Sequence, residues 1–180
     1  IRLQFDNYEG WVDSKQFQPI SELAYNTLSN EAIVLNADLI DYISAPNNTL
    51  LPIPLGASLS FLDHSEINLS KFVFEGSKAS GIQNKSQLIT TAFMYLNAPY
   101  LWGGKTPFGI DCSGFTQMVY KLNGYQLSRD ASQQAAQGDA LSFIEESEPG
   151  DLAFFDNEEG AIIHVGIIME NNYIIHASGK

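Results

Sequence analysis

Cysteine is almost absent. The 180-residue chain holds one, Cys112, so an internal disulfide is excluded and the redox state of its compartment stays open. Positive charge is scarce as well: 9 Lys and Arg stand against 21 Asp and Glu, for a net charge of −12. Such a surface repels nucleic acid and anionic membrane and has no basic stripe for phosphates. Its plain meaning is solubility; its sharper meaning is that some acids meet a cationic group on a substrate. No apolar run approaches the roughly 20 residues that span a bilayer. No signal peptide is visible, and the chain begins with Ile1 rather than Met, which reads as a cut N-terminus. What is present is 44% hydrophobic and 12% aromatic. That excludes a disordered chain and allows a buried core in one or two domains.

Composition divides the chain near residue 80. Residues 1–82 read as short strands and turns. Phe5–Val12 ends a turn in an aromatic strand, and 32–35, 57–62 and 71–74 are strand-length runs punctuated by Asn47-Asn48, Pro52, Pro54, Gly56 and Gly76. Closely spaced short strands suggest a small barrel. Over 84–98 the period changes to that of a helix, capped by Asn84 or Ser86, with Leu88, Ile89, Ala92, Phe93 and Leu96 on one face. A Gly-rich loop, a helix starting at Cys112, a short helix after Ser128-Arg129-Asp130 and strands 152–155, 162–169 and 173–177 follow. Helices first and an antiparallel sheet after indicate an α+β domain.

The chemistry centres on Cys112. A lone cysteine is usually inert core filling. Here Gly103, Gly104, Gly109 and Gly114 allow close backbone approach, and Asp111 and Ser113 are polar neighbours that a core cysteine does not need. A thiol at a helix N-terminus feels partial positive charge, which favours thiolate. The amides at that helix start suit part of an oxyanion hole. His164 and His176 sit in short apolar strands joined by a turn at Asn171-Asn172. Counting from the turn, His176 opposes a residue near Gly166 or Ile167, so the imidazoles are diagonal neighbours. One thiol and two strand-borne imidazoles, one able to be oriented by a second polar group, are compatible with the general logic of nucleophile, base and orienting group. Each histidine alone also fits a satisfied half-buried side chain. A Cys-His-His zinc site is disfavoured because the spacings match no compact zinc pattern. His64, between Asp63 and Ser65, reads as a surface turn.

Six motifs in order resemble the NlpC/P60 family of cell-wall cysteine peptidases: Tyr100-x-Trp102-Gly-Gly, Asp111-Cys-Ser-Gly-Phe115, Arg129-Asp130, Pro149-Gly-Asp-Leu152, His164-Val-Gly166 and Ile175-His-Ala177. The resemblance covers residues 86–180 and implies a papain-like α+β catalytic domain over 83–180. It implies Cys112 as nucleophile, His164 as base and acid, and His176 as the group orienting His164. The chain is most similar to the γ-D-glutamyl-L-diamino acid endopeptidases that carry bacterial SH3-like domains. Residues 1–82 then correspond to an SH3-like β region, with 1–19 the tail of a preceding SH3-like domain and the sheet incomplete at both ends of the chain.

The same branch implies murein-derived peptides with a free N-terminal L-Ala as substrates, with no cofactor, no nucleic acid and no membrane insertion. It favours a periplasmic, extracellular or cell-surface setting over the cytoplasm. Asp111, Ser113 and Asp130 match branch positions near the nucleophile, Tyr100 matches the cleft tyrosine, Trp102 flanks it, and Tyr8 is the candidate from the N-terminal half. Ala131 stands where the branch often has serine. Core packing is the competing reading for Tyr8, Trp11, Trp102 and Phe115, and is accepted for Phe115; a helix cap with Arg129 as surface ion partner is the one for Asp130. Two other functional classes compete with the peptidase. One is an inactive wall-binding module, which the intact Cys-His-His set argues against. The other is a lipid-directed thiol acyltransferase, which lacks its membrane-inserting stretch here.

Overall fold

The computed structural model describes residues 1–65 and 67–179. They form two compact units, Ile1–Gly81 and Ile82–Lys180.

In the first unit Ser21 opens helix α1 (Glu22–Asn30), its hydroxyl accepting from the Ala24 amide, with Glu22 favourably placed in the first turn. Strands β1 (Val34–Asn36), β2 (Ile40–Ser44), β3 (Leu50–Pro54) and β4 (Lys78–Ser80) follow. They make two antiparallel pairs, β1 with β4 and β2 with β3. Ile43, Leu59 and Phe74 form the core, with Val34, Ile53, Phe61, Leu62 and Phe72 packed on it. Fully buried Asn36 ties the turns together, its amide donating to the carbonyls of Asp38, Ile53 and Pro54.

The expectation of strands alone over 1–82 is corrected. α1 is a helix, 60–63 is a 3-10 turn, and the 57–62 and 71–74 runs contribute only isolated bridges, Leu35 with Ser58 and Ser44 with Val73. Core packing does not hold for Tyr8 or Trp11. Tyr8 is 40% exposed and Trp11 fully so.

The second unit is α+β. It comprises α2 (Gln87–Phe93), the hairpin β5 (Lys105–Thr106) and β6 (Gly109–Ile110), α3 (Cys112–Leu122), α4 (Ala131–Ala135) and strands β7 (Leu152–Asp156), β8 (Ile162–Ile168) and β9 (Ile174–Ile175). β8 lies between β7 and β9, antiparallel to both. α3 is buried along most of its length and packs on β8, where Cys112, Ala131 and Val165 share one cluster. α2 buries Leu88 and Ala92, with Tyr95 following. Its apolar face is narrower than the sequence indicates, since Phe93 and Leu96 are exposed.

Candidate active site

The Gly-rich loop and the start of α3 are built around one carboxylate. Asp111 caps the helix: its Oδ1 accepts from the Gly114 amide at 2.7 Å, and its Oδ2 accepts from the Gly103 amide at 2.7 Å. The Asp111 amide in turn donates to the Gly104 carbonyl at 3.2 Å. Glycine is required where these segments meet. A Cβ on Gly104 would collide with the Gly109 carbonyl, and one on Gly114 with the Gly104 carbonyl. These contacts fix Cys112, 7% exposed, at the first position of α3.

Arg129 closes the arrangement from the segment before α4. Its Nη1 and Nη2 donate to the two Asp111 oxygens at 3.0 and 2.6 Å, and Nη1 also donates to Ser113 Oγ at 2.9 Å. Both partners of the ion pair are buried. Burial alone would raise the Asp111 carboxyl; the Arg129 hydrogen bonds and charge, with the Gly114 and Gly103 amides, overcome it and hold it below the usual carboxylate range. α4 is fastened to α3 by Gln134, which accepts from the Thr116 hydroxyl at 2.7 Å and donates to the Ser113 carbonyl at 3.0 Å.

Burial raises the Cys112 thiol, and the Asp111 charge adds to this; the Val165, Ser113 and Cys112 amides pull the other way without prevailing. The helix start therefore does not yield the resting thiolate that the sequence suggests. Desolvation of the sulfur outweighs the partial charge. Proton removal then needs a base.

The β8–β9 hairpin carries both histidines of the chain's second unit. Glu170-Asn171-Asn172 turns the chain with φ 59° at Asn171 and 60° at Asn172, two consecutive left-handed residues of the kind asparagine tolerates. It sets Ile167 opposite Ile175 and Ile168 opposite Ile174, so the next pair is Gly166 with His176. His164 is then the diagonal neighbour of His176. Their rings meet edge-on, with His164 Nε2 3.0 Å from His176 Nδ1. Phe155 of β7 lies against the other side of His164, its ring tilted at 48° with centroids 5.7 Å apart. Burial, and secondarily His176, lowers the His164 pKa from the usual 6.5, which keeps its imidazole neutral. With Nε2 engaged by His176, Nδ1 is the remaining ring nitrogen of His164. A base at Nδ1 requires the tautomer with the hydrogen on Nε2, in which His176 Nδ1 is the acceptor.

The profile of the NlpC/P60 family matches residues 97–180, the stretch holding all of these groups. The chain carries an NlpC/P60 family domain. It is 31% identical over 190 residues to gamma-D-glutamyl-L-lysine dipeptidyl-peptidase of Bacillus cereus, taking in 96% of this chain and 57% of that protein. The protein of the same name from Bacillus subtilis is 36% identical over 134 residues, 72% of this chain and 45% of that protein. The chain thus spans 57% and 45% of the length of these two relatives. The crystal structure of an NlpC/P60 family protein from Bacillus cereus superposes with a TM-score of 0.78 at 26% identity, over 94% of this chain and 61% of that one.

Within the NlpC/P60 domain the expected residues divide. Asp111 and Ser113 stand beside Cys112, but Asp111 receives Gly103, Gly114, Ser113 and both Arg129 nitrogens, which leaves it no lone pair for a substrate ammonium. Ser113 Oγ is tied to the same ion pair, accepting from Arg129 Nη1. Tyr100 bridges to Ile110, two residues before Cys112, and burial raises its phenol. Trp102 projects outward, 85% exposed, which excludes the core reading, whereas Phe115 is core beneath the edge of Tyr95. Asp130 is half-buried immediately before α4, its amide donating to Gln133 Oε1 at 3.2 Å. Tyr8 lies in the first unit. Arg129 is the residue the sequence reading underrates: it is a buried anchor, not a surface ion partner. Among the described residues no group of three His, Cys, Asp or Glu is placed to hold a metal, and no helix is long and apolar enough to cross a membrane.

Proposed function

We propose that this chain is a cysteine peptidase that cleaves the γ-D-Glu to diamino-acid bond of murein-derived peptides with a free N-terminal L-Ala. The observation that carries the reading is the hydrogen-bonded His164–His176 pair, with Val165, the residue after His164, packed against the helix-borne Cys112. Cys112 Sγ attacks the scissile carbonyl while its proton passes to His164 Nδ1. The amides at the start of α3 face the oxyanion that forms. His164 protonates the leaving amine as the C–N bond breaks, leaving a thioester on Cys112. Water then attacks that thioester, His164 takes its proton, and the acyl group departs as a carboxylate with the thiol restored. His176 holds the imidazole in the tautomer this needs.

The names of the Bacillus relatives support the γ-D-glutamyl specificity. Asp130 is the carboxylate that pairs with the substrate ammonium, with Tyr100 and Trp102 bordering the peptide. Residues 1–82 are a bacterial SH3-like region, and the substrate chemistry fits a periplasmic, extracellular or cell-surface location.

The test is mass spectrometry of L-Ala-γ-D-Glu-L-Lys and its N-acetylated analogue after incubation with the protein. An ammonium–carboxylate pair left half-empty costs about 3–5 kcal/mol, so acetylation lowers kcat/KM at least ~100-fold. Asp130→Asn relaxes that discrimination. Equal cleavage of both peptides removes the ammonium anchor, and cleavage of neither removes the peptidase reading.

A further inference from the structure

Arg129 touches neither thiol nor imidazole, yet it is joined to everything that places the thiol. It is 8% exposed, and its fork closes on both oxygens of Asp111, the residue immediately before Cys112. That same carboxylate receives the Gly103 amide of the Gly-rich loop and the Gly114 amide of the nucleophile helix. Arg129 also donates to Ser113 Oγ, on the other side of Cys112 in sequence. Three segments distant in the chain converge on one ion pair next to the nucleophile.

A bare carboxylate in that place would oppose the chemistry. Forming a thiolate beside an unpaired buried anion is penalised by like-charge repulsion, and the penalty grows as water is excluded. A helix cap of Asn would satisfy the Gly114 amide without any charge. The structure instead uses a charged cap and cancels it with a guanidinium.

We propose that Arg129 is a positioning residue for the reaction inferred above: it neutralises Asp111 beside Cys112 and locks that carboxylate onto the Gly103 and Gly114 amides, so setting where the thiol stands and how easily it gives up its proton. The role rests on the peptidase reading, but its test does not need hydrolysis.

The charged and titratable groups on the segments packed around Cys112 are Asp111 at its own helix start, Arg129 and Asp130 ahead of α4, Tyr100 from the Gly-rich loop, and His164 with His176 on the sheet. Only the Asp111–Arg129 pair changes in the experiment. The rate of Cys112 alkylation by iodoacetamide is followed by intact mass from about pH 6 to pH 10. The proteins are the wild-type chain, Arg129→Gln, Arg129→Lys and Asp111→Asn, with circular dichroism to confirm folding. Arg129→Gln strands the Asp111 charge, so its alkylation midpoint moves up and its rate near pH 8 falls about tenfold. Asp111→Asn leaves the guanidinium uncompensated, so its midpoint moves down. Arg129→Lys keeps the charge without the fork and falls between wild type and Arg129→Gln. General loosening of the fold would move both charge variants in one direction.

Midpoints that stay put, or that move together, overturn the proposal. If Arg129→Gln does not fold, Asp111→Asn decides alone, since an amide oxygen still caps α3; a midpoint that does not fall contradicts the proposal. Hydrolysis of the free tripeptide by the wild-type chain is measured alongside. Its absence sinks the peptidase reading and leaves the alkylation result to judge Arg129.

Discussion

Gly166 stands directly across the hairpin from His176, and its lack of a side chain makes room for that histidine. A Cβ at Gly166 would come within 3.0 Å of His176 Cβ and 2.5 Å of Ile174 Cγ2, closer than ordinary van der Waals contact. Gly166→Ala therefore pushes the two strands apart at the point where His176 reaches His164. The expected result is a fall in kcat of at least ~10-fold with KM little changed, because positioning and not substrate binding is lost. Steady-state kinetics on the free tripeptide check it. A variant with unchanged kcat would show that the hairpin register does not govern the imidazole pair.

The two histidines differ in what replaces them. His164→Ala removes the base and costs nearly as much as loss of Cys112, on the order of 10³-fold or more in kcat, since the two act as a unit. His176→Asn and His176→Gln retain an acceptor oxygen for the His164 Nε2 hydrogen, so each is milder than His164→Ala. Complete loss in both amide variants would mean that His176 does more than orient its neighbour. A chelator leaves the wild-type rate unchanged, because no step uses a metal.

The acid limb of the pH profile follows from His164. Burial first, and His176 second, lower its pKa below the ordinary 6.5. The catalytically competent neutral imidazole persists below pH 6.5, and kcat/KM drops only as pH falls through the lowered value. The sign for stability is the same. The unfolded chain binds the proton first, so the contribution of neutral His164 is present above pH 6.5 and is lost as pH falls through its folded value. Asp111, held below the ordinary 3.8, acts likewise at lower pH: its contribution is present above 3.8 and disappears as the folded carboxyl protonates. His176→Gln removes the neighbouring ring, the second cause of the lowering, and moves the acid limb upward. A downward shift would contradict the cause assigned to the His164 pKa.

The site was legible where chemistry is local. Asn171-Asn172 announces a tight hairpin, and counting from it narrows the partner of His176 to Gly166 or Ile167; the register is what decides for Gly166. The Gly-rich loop running into Asp111-Cys112-Ser113-Gly114 announces a helix start, though not that Asp111 caps it. Arg129 was not legible as an anchor, because its pairing with Asp111 crosses 18 residues and leaves no periodic trace. In the first unit α1 buries only Ala24 while Leu23 and Tyr25 face solvent, so no apolar stripe marked it. Strands 40–44 and 50–54 were hidden by Pro52 and Pro54, which read as breakers. They are accommodated because β3 pairs only with β2, opposite Tyr42 and Ile40, and an edge strand tolerates missing donors. The resting protonation of Cys112 was misread because a helix start is visible in sequence and desolvation is not.

The most direct measurement compares the wild-type chain with Cys112→Ala on L-Ala-γ-D-Glu-L-Lys by mass spectrometry. The wild-type chain is expected to release L-Ala-D-Glu and lysine. Cys112→Ala is expected to fold, since it only trims one buried side chain, and to release neither, because no other residue forms the acyl intermediate. Release at the wild-type rate by folded Cys112→Ala would contradict the account.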